Sequence, residues 1–185
     1  MNRKVLIIAT SLLPVLCWSG PGLDLQAEQI VLDTDAIFER LKQLEGTWFG
    51  EGGALGGYSS SVVHKFRVVA GESVVMEIMD PDGEREINMY HVNGNDVAMT
   101  HYCGGGNQPR LKLEYARASS ESMPFVFFDA TNLENPAVDR HIHAGKIVFV
   151  DSNHLESWWT VYKDGKEVAK SRFTLQRMTN SKNPE

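Results

Sequence analysis

The sequence predicts an all-β protein, a single closed antiparallel β-barrel of about ten strands with a short helix before it. Two observations indicate this fold class. Only the segment near residue 40 has apolar residues at helical spacing. The chain that follows reads as short strands separated by turn-forming residues, at intervals typical of an antiparallel meander. Closing such a meander into a barrel removes the exposed edge strands on which other chains can pair.

Residues 1–27 have the three parts of a secretory signal peptide, so we expect a secreted or periplasmic protein. Asn2-Arg3-Lys4 gives a positive start, an apolar run spans residues 5–18, and smaller or polar residues lead to Ala27. The apolar run is shorter than the roughly 20 residues that a transmembrane helix needs. We expect cleavage after Ala27.

The mature chain is acidic and has a single cysteine. The full sequence has 18 basic and 24 acidic residues, and removal of Arg3, Lys4 and Asp24 with residues 1–27 leaves 16 against 23, a net charge of −7. This charge argues against nucleic acid or an anionic membrane as a partner. Cys103 is then the one remaining cysteine, so no internal disulfide can form.

The helix is predicted within residues 28–45, the barrel over 46–178 and a disordered tail over 179–185. Asp33 or Thr34 can cap the helix. The apolar stripe that indicates it consists of Ile37, Phe38, Leu41 and Leu44.

The predicted strands follow the helix in sequence. Their ranges are 48–51, 60–69, 73–79, 84–91, 97–103, 110–117, 125–129, 140–150, 155–162 and 167–177. Residue composition favours hairpin turns at 70–71, 80–83, 93–95 and 163–165. Short connections of this kind join neighbouring antiparallel strands.

The chain enters the barrel through residues 44–52, which read Leu-Glu-Gly-Thr-Trp-Phe-Gly-Glu-Gly. This stretch resembles the entry to calycin-type barrels, the group that includes lipocalins, fatty-acid-binding proteins and nitrobindins. The resemblance implies that Trp48 packs against a basic residue of the last strand, either Arg172 or Arg177, at the closed end of the barrel. Nitrobindins bind haem through a histidine on a late strand, but this chain has no histidine after His154, so haem is not expected.

A second resemblance covers most of the mature chain. Its motifs are Met99-Thr100-His101-Tyr102-Cys103, residues 106–110 (Gly-Asn-Gln-Pro-Arg), residues 129–133 (Asp-Ala-Thr-Asn-Leu) and His141-Ile142-His143. In this order they are similar to a family of exported bacterial proteins of unknown function. The resemblance supports the fold and implies no particular activity.

Side-chain alternation along two strands gathers candidate functional groups. His101 and Cys103 share one face of their strand, and His141 and His143 share one face of theirs. When both faces line the interior, these side chains meet near one mouth of the barrel, close to the turn at 129–133. The predicted ligand-binding residues are His101, Cys103, Asn107, Arg110, Asp129, Asn132, His141 and His143.

Three consecutive glycines, residues 104–106, separate Cys103 from Asn107. They give the backbone freedom to form a tight turn and to bring amide groups close to a ligand. Their position suits a gate over the barrel mouth. Arg110 can bind a ligand carboxylate or pair with a glutamate of the protein.

These features favour binding of a hydrophobic or mixed-polarity small molecule in the barrel interior, with no cofactor, over catalysis. Three alternatives stay open. Zinc or copper can bind His101, Cys103, His141 and His143, because imidazole and thiolate are good ligands for these metals. An enzyme can use His101 or His143 as general base, Asp129 to orient it and Cys103 as nucleophile. The third alternative is a structural barrel whose interior is filled, so that it binds no small molecule there.

Some residues are predicted to lie outside any site. His64, between Val63 and Lys65, is interpreted as a surface or edge histidine. Trp158 and Trp159 point to opposite faces of their strand, so one of them lines the interior and the other faces outward.

Overall fold

The structure, a computed structural model, describes residues 33–80 and 86–179 of the chain. The predicted signal peptide at 1–27 lies outside these ranges, as do most of the turn predicted at 80–83 and nearly all of the predicted tail. Within the two ranges, the structure has no helix with the length and apolar character of a membrane span.

A closed antiparallel barrel follows one α-helix in this part of the chain, which confirms the predicted fold class. The helix is α1 (Thr34–Lys42). The strands are β1 (Gly46–Ala54), β2 (Ser60–Val69), β3 (Val74–Asp80), β4 (Glu86–Asn93), β5 (Asp96–Tyr102), β6 (Gln108–Leu113), β7 (Ser122–Thr131), β8 (His141–Phe149), β9 (His154–Lys163) and β10 (Lys166–Arg177). Each strand pairs with its neighbours along the chain, and β1 pairs with β10 to close the barrel.

The sixth strand differs most from its predicted range of 110–117. It ends at Leu113, and a 3₁₀ turn at Tyr115–Arg117 follows. The Tyr115 hydroxyl lies 2.8 Å from Thr34 Oγ1 and 3.2 Å from the Asn95 carbonyl oxygen. Tyr115 therefore leaves the strand to contact the start of α1, a tertiary contact that strand propensity does not predict.

The helix closes one end of the barrel. Ile37, Phe38 and Leu41 are buried in the core, and Thr34 Oγ1 donates a hydrogen bond of 2.8 Å to Asn95 O, in the β4–β5 turn. The same core cluster includes Leu44. The predicted apolar stripe is thus the surface with which α1 covers the barrel.

Trp48 and Arg177 tie β1 to β10 at this closed end. The Arg177 guanidinium lies 4.2 Å from the Trp48 ring centroid and donates hydrogen bonds of 2.6 Å to the carbonyls of Gln43 and Glu45. Trp48 Nε1 donates to Leu44 O at 2.8 Å. Arg177 is therefore the stacking partner of Trp48.

The hairpins use the turn chemistry that the sequence predicts. Between β9 and β10, Asp164 and Gly165 both have positive φ, at 52° and 66°. Two central residues of this kind form the turn that matches the twist of a two-residue hairpin. The turn sets the start of β10 against the end of β9, with Lys166 opposite Lys163.

Two arcs of the barrel wall differ in the groups that they bury. The buried polar side chains that bond to one another come from β2 to β5. They are His64, Glu77, Asn88, Tyr90 and His101. The arc from β6 to β10 contributes mainly apolar and aromatic side chains, among them Leu111, Phe125, Ile147, Trp159 and Phe173. The polar groups are thus concentrated on one side of the interior.

Candidate functional site

A cavity of about 510 Å³ lies at the end of the barrel away from α1. It is bounded by the ends of β1, β3 and β5, the starts of β4 and β8, and the middle of β9 and β10. Its apolar lining residues are Met79, Ile142, Trp159, Val161 and Phe173. Its polar lining residues are Glu86, His101, Cys103, Asn107, Arg140, His141 and Ser171. The cavity therefore combines an aromatic wall with a polar one.

Below the polar wall, the Glu77 carboxylate accepts three hydrogen bonds. His64 Nδ1 lies 2.9 Å from Glu77 Oε1, and Glu77 Oε2 accepts from Asn88 Nδ2 and from the Tyr90 hydroxyl, each at 2.7 Å. All four side chains are buried, and they come from three neighbouring strands. A buried carboxylate is costly unless hydrogen bonds satisfy it, and here both of its oxygens are bonded.

The hydrogen bonds decide the ionisation of this network. Burial alone raises the pKa of the Glu77 carboxyl, but the bonds from His64, Asn88 and Tyr90 outweigh burial and hold that pKa below its ordinary value. Burial and the Glu77 charge raise the pKa of Tyr90 well above its ordinary value. At neutral pH, Glu77 is therefore an anion and Tyr90 a neutral hydroxyl donor.

Asn88 connects this hydrogen-bond network to His101. Because Asn88 Nδ2 donates to Glu77, its Oδ1 is the atom that lies 2.7 Å from His101 Nδ1. A carbonyl oxygen can only accept, so His101 Nδ1 carries the proton and Nε2 is the basic nitrogen of the neutral ring. Glu77 and Asn88 thus fix both the orientation and the tautomer of His101.

His101 Nε2 faces the polar end of the cavity. It lies 3.7 Å from Glu86 Oε2 and has no hydrogen-bond partner in the part of the chain that the structure describes. The side chain is 1% exposed, and Trp159 stacks on the ring with centroids 6.0 Å apart. Burial lowers the pKa of His101 against the opposing effect of Glu86 and Glu77. The ring is therefore neutral at pH 7, with a lone pair on Nε2.

The glycine loop holds Glu86 and Cys103 in place. The Gly104 amide donates to Glu86 Oε1 at 3.1 Å, and the Gly105 amide donates to Cys103 Sγ at 3.4 Å. Gly106 has φ of 87°, which a residue without a Cβ adopts without strain. The loop amides thus bond to side chains of the site, whereas the sequence predicts amides that come close to a ligand.

Cys103 is half-buried and close to an acid. Its Sγ lies 3.6 Å from Glu86 Oε1. Burial raises the pKa of the Cys103 thiol, and Glu86 adds to the effect, although the Gly105 amide opposes it. At neutral pH the side chain is therefore a thiol, which is a weaker nucleophile than a thiolate.

His141 and His143 form a separate pair at the rim of the cavity. His141 Nδ1 lies 2.9 Å from Asp139 O, and His141 Nε2 lies 3.1 Å from His143 Nδ1. His143 stacks on Tyr162 with centroids 3.9 Å apart. A register shift between Ile142 and Ala144 puts Ile142 among the cavity-lining residues together with His141, whereas His143 lies outside that set. Two residues that simple alternation predicts on one face therefore have different surroundings.

Of the other predicted site residues, some line the cavity and some do not. Asn107 lines the cavity and donates from Nδ2 to Arg140 O at 2.9 Å. Arg110 forms an ion pair with Asp129, and neither residue is among those that line the cavity. Asn132 Nδ2 lies 3.1 Å from Gln108 Oε1, outside the cavity lining. The structure thus brings together His101, Cys103, Asn107 and His141 at the cavity.

His64, predicted at the surface, is completely buried, so that prediction is wrong. Its alternation partners Val62 and Phe66 are apolar and buried, which is the signal that indicates an inward-facing side chain at position 64. Glu77 lies in the same way between the buried Val75 and Met79. Glu77, Glu86, Asn88 and Tyr90 belong to the site but are absent from the sequence prediction.

The fold resembles a solved structure, whereas the sequence matches no family. No protein-family model matches the chain, and no curated protein matches its sequence. A protein of unknown function from the DUF3598 family of Nostoc punctiforme aligns with a TM-score of 0.51 at 12% identity, over 75% of this chain and 49% of that one. This chain thus spans about half the length of that protein, and the likeness concerns the fold alone. A redesigned β-barrel aligns with a TM-score of 0.40 at 15% identity, over 76% of this chain and 96% of that one.

Proposed function

We propose that this protein is an exported calycin-type barrel that binds a small organic molecule of mixed polarity in its cavity. The cavity carries the proposal, because its volume of about 510 Å³ falls within the range of roughly 300–1,000 Å³ that is typical of small-molecule sites. The positively charged start and apolar run of residues 1–27 support export. The helix over one end of the barrel and the stack of Arg177 on Trp48 support the calycin assignment.

The composition of the cavity wall supports a ligand with an apolar body and a polar end. Trp159, Phe173 and Val161 offer an apolar surface, while Glu86, Asn107 and His101 contribute polar atoms to the lining. Three of the lining residues have a buried polar atom without a hydrogen-bond partner among the described residues, namely His101 Nε2, Asn107 Oδ1 and Trp159 Nε1. Buried polar atoms are normally bonded, and polar groups on the ligand can satisfy Asn107 Oδ1 and Trp159 Nε1.

The ionisation of the site favours binding over catalysis by a thiolate. The raised pKa of Cys103 keeps the side chain a thiol at neutral pH. Asp129, which an enzyme would use to orient a histidine, is instead paired with Arg110. The group that orients His101 is Asn88, backed by Glu77.

A cavity-filling variant tests the proposal. Ser171 lines the cavity, whereas the neighbouring Lys170 is exposed on the outer face of β10. We expect Ser171→Phe to weaken binding of the fluorescent probe N-phenyl-1-naphthylamine at least tenfold, because the new ring occupies the cavity, and Lys170→Phe to leave the affinity unchanged. The measurement is a fluorescence titration of both variants and the original protein.

Native mass spectrometry of the protein purified from the exported fraction of its host complements the titration. A bound organic mass that is present in the original protein and in Lys170→Phe, but lost in Ser171→Phe, supports the proposal. The proposal is wrong if the original protein neither carries an organic mass nor binds the probe, or if both variants bind the probe equally well.

A further inference from the structure

We propose that Glu86, His101 and Cys103 form a binding site for a zinc ion at the polar end of the cavity. Each residue offers one ligand atom, and these three atoms lie within 4.8 Å of one another. Carboxylate oxygen, imidazole nitrogen and cysteine sulfur are the ligand types that Zn²⁺ takes in proteins. The site does not depend on the proposed organic ligand, because it rests on these three side chains alone.

Two of the separations between the ligand residues are close to those around a tetrahedral ion. His101 Nε2 lies 3.7 Å from Glu86 Oε2, and Cys103 Sγ lies 3.6 Å from Glu86 Oε1. Zinc bonds of about 2.0–2.3 Å at a tetrahedral angle put ligand atoms about 3.3–3.8 Å apart. Because the two contacts use different oxygens of Glu86, this carboxylate must rotate to coordinate the same ion as His101 and Cys103, and the Cys103 thiol releases its proton to solvent on binding.

His101 Nε2 is the observation that points most directly to a bound ion. Its ring is 1% exposed, its Nδ1 is bonded to Asn88 Oδ1 at 2.7 Å, and its Nε2 lacks a hydrogen-bond partner in the described ranges. The distance of 3.7 Å to Glu86 Oε2 is too long for a hydrogen bond. A metal ion between these atoms uses the lone pair that the hydrogen-bond network presents.

A second layer of hydrogen bonds supports each ligand. Asn88 orients His101 and is itself held by Glu77. The Gly104 amide donates to the Glu86 carboxylate, and the Gly105 amide donates to Cys103 Sγ. Partners of this kind fix the tautomer and direction of metal ligands in known sites. The polar network and the glycine loop thus have one common role, the positioning of three ligand atoms.

The rim histidines are not part of this site. His141 Nε2, the nitrogen left after Nδ1 bonds to Asp139 O, is engaged by His143. Three protein ligands leave a fourth zinc position, as in sites that keep one position open for water or another molecule.

Zinc titration of the purified, chelator-treated protein tests the proposal. We expect isothermal titration calorimetry to show one Zn²⁺ per chain, and Cys103→Ser and Glu86→Gln each to weaken binding at least tenfold. Two control variants should bind as the original protein does. His154→Ala removes an exposed histidine that is paired with Asp151, and Glu156→Gln changes a partly buried carboxylate that is paired with Arg172, both outside the cavity.

Cobalt substitution gives a readout that needs no variant. Co²⁺ in the original protein should give the intense visible spectrum of a tetrahedral ion and a thiolate-to-cobalt charge-transfer band, which Cys103→Ser abolishes. The proposal is overturned if the original protein binds no zinc, if both ligand variants bind as well as the controls do, or if bound cobalt shows no charge-transfer band.

Discussion

His101 and His141 both line the cavity, yet their hydrogen bonds leave them with different chemistry. Each has one ring nitrogen fixed by a carbonyl oxygen, from the Asn88 side chain in one case and the Asp139 backbone in the other. At His141 the second nitrogen is bonded to His143, whereas at His101 it has no partner in the described part of the chain. A histidine is available to a ligand only when its second nitrogen is unengaged, and this condition separates the two positions.

The two positions also differ in what supports them. His101 belongs to a fully buried network that spans four strands and includes the Glu77 anion. His143 is partly exposed and packs between the rings of Phe127 and Tyr162. Removing one member of a buried ionic network leaves its partners unpaired, whereas removing a rim residue exposes groups that water can reach. A substitution in the buried network is therefore expected to destabilise the protein more than a substitution in the rim pair.

The largest effect on the free energy of unfolding is expected from Glu77→Leu. This variant keeps the side-chain size but removes the acceptor of three buried hydrogen bonds. We expect the free energy of unfolding to fall by about 3–5 kcal/mol, because three donors lose their buried acceptor. Chemical denaturation in urea measures the change. The matched control is Glu156→Leu, whose partners Arg172 and Trp158 lie outside the cavity and which should cost less than about 1 kcal/mol. Equal losses in the two variants would contradict the role given to the network.

Acidification should also lower the free energy of unfolding, but by less than Glu77→Leu does. The pKa of Glu77 in the folded protein is below its ordinary value of 4.5, so its contribution to stability is present above pH 4.5 and is lost as the pH falls through the folded value. The loss is smaller than in Glu77→Leu, because a protonated carboxyl still has acceptor oxygens. The urea midpoint should therefore fall more steeply below pH 4.5 in the original protein than in Glu77→Leu. Parallel curves for the two proteins would show that other groups cause the acid sensitivity.

The fold could be predicted from the sequence because each strand carries its own local signal. Residues 60–69 alternate between buried and exposed side chains, and the predicted strand has the same bounds as β2. Turn residues such as Asp164-Gly165 fix the connections, so the order of pairing follows from the order of the strands. The ring closes between β1 and β10, as expected when a meander of this length removes its edges.

The site was predictable only in part, because its members come from different strands. His101 and Cys103 follow from alternation along the predicted strand 97–103, although β5 ends just before Cys103. Their partners Glu77 and Glu86 are fixed by the register between strands, which a single sequence does not reveal. The register shift at His143 is a local irregularity that alternation cannot predict.

The smallest effect is expected from His143→Phe, which keeps an aromatic ring against Tyr162 but removes the Nδ1 donor to His141. We expect a loss of at most about 1 kcal/mol in the free energy of unfolding, since one hydrogen bond at a partly exposed site is removed and the stacking is retained. The ring nitrogen signals of His141 in an NMR spectrum should shift, because its Nε2 loses its partner. Those of His101 should stay in place, since its contacts are with Asn88 and Trp159 and not with the rim pair. A shift of the His101 signals would mean that the rim pair and the buried network behave as one site, and the distinction between the two histidine positions would then fail.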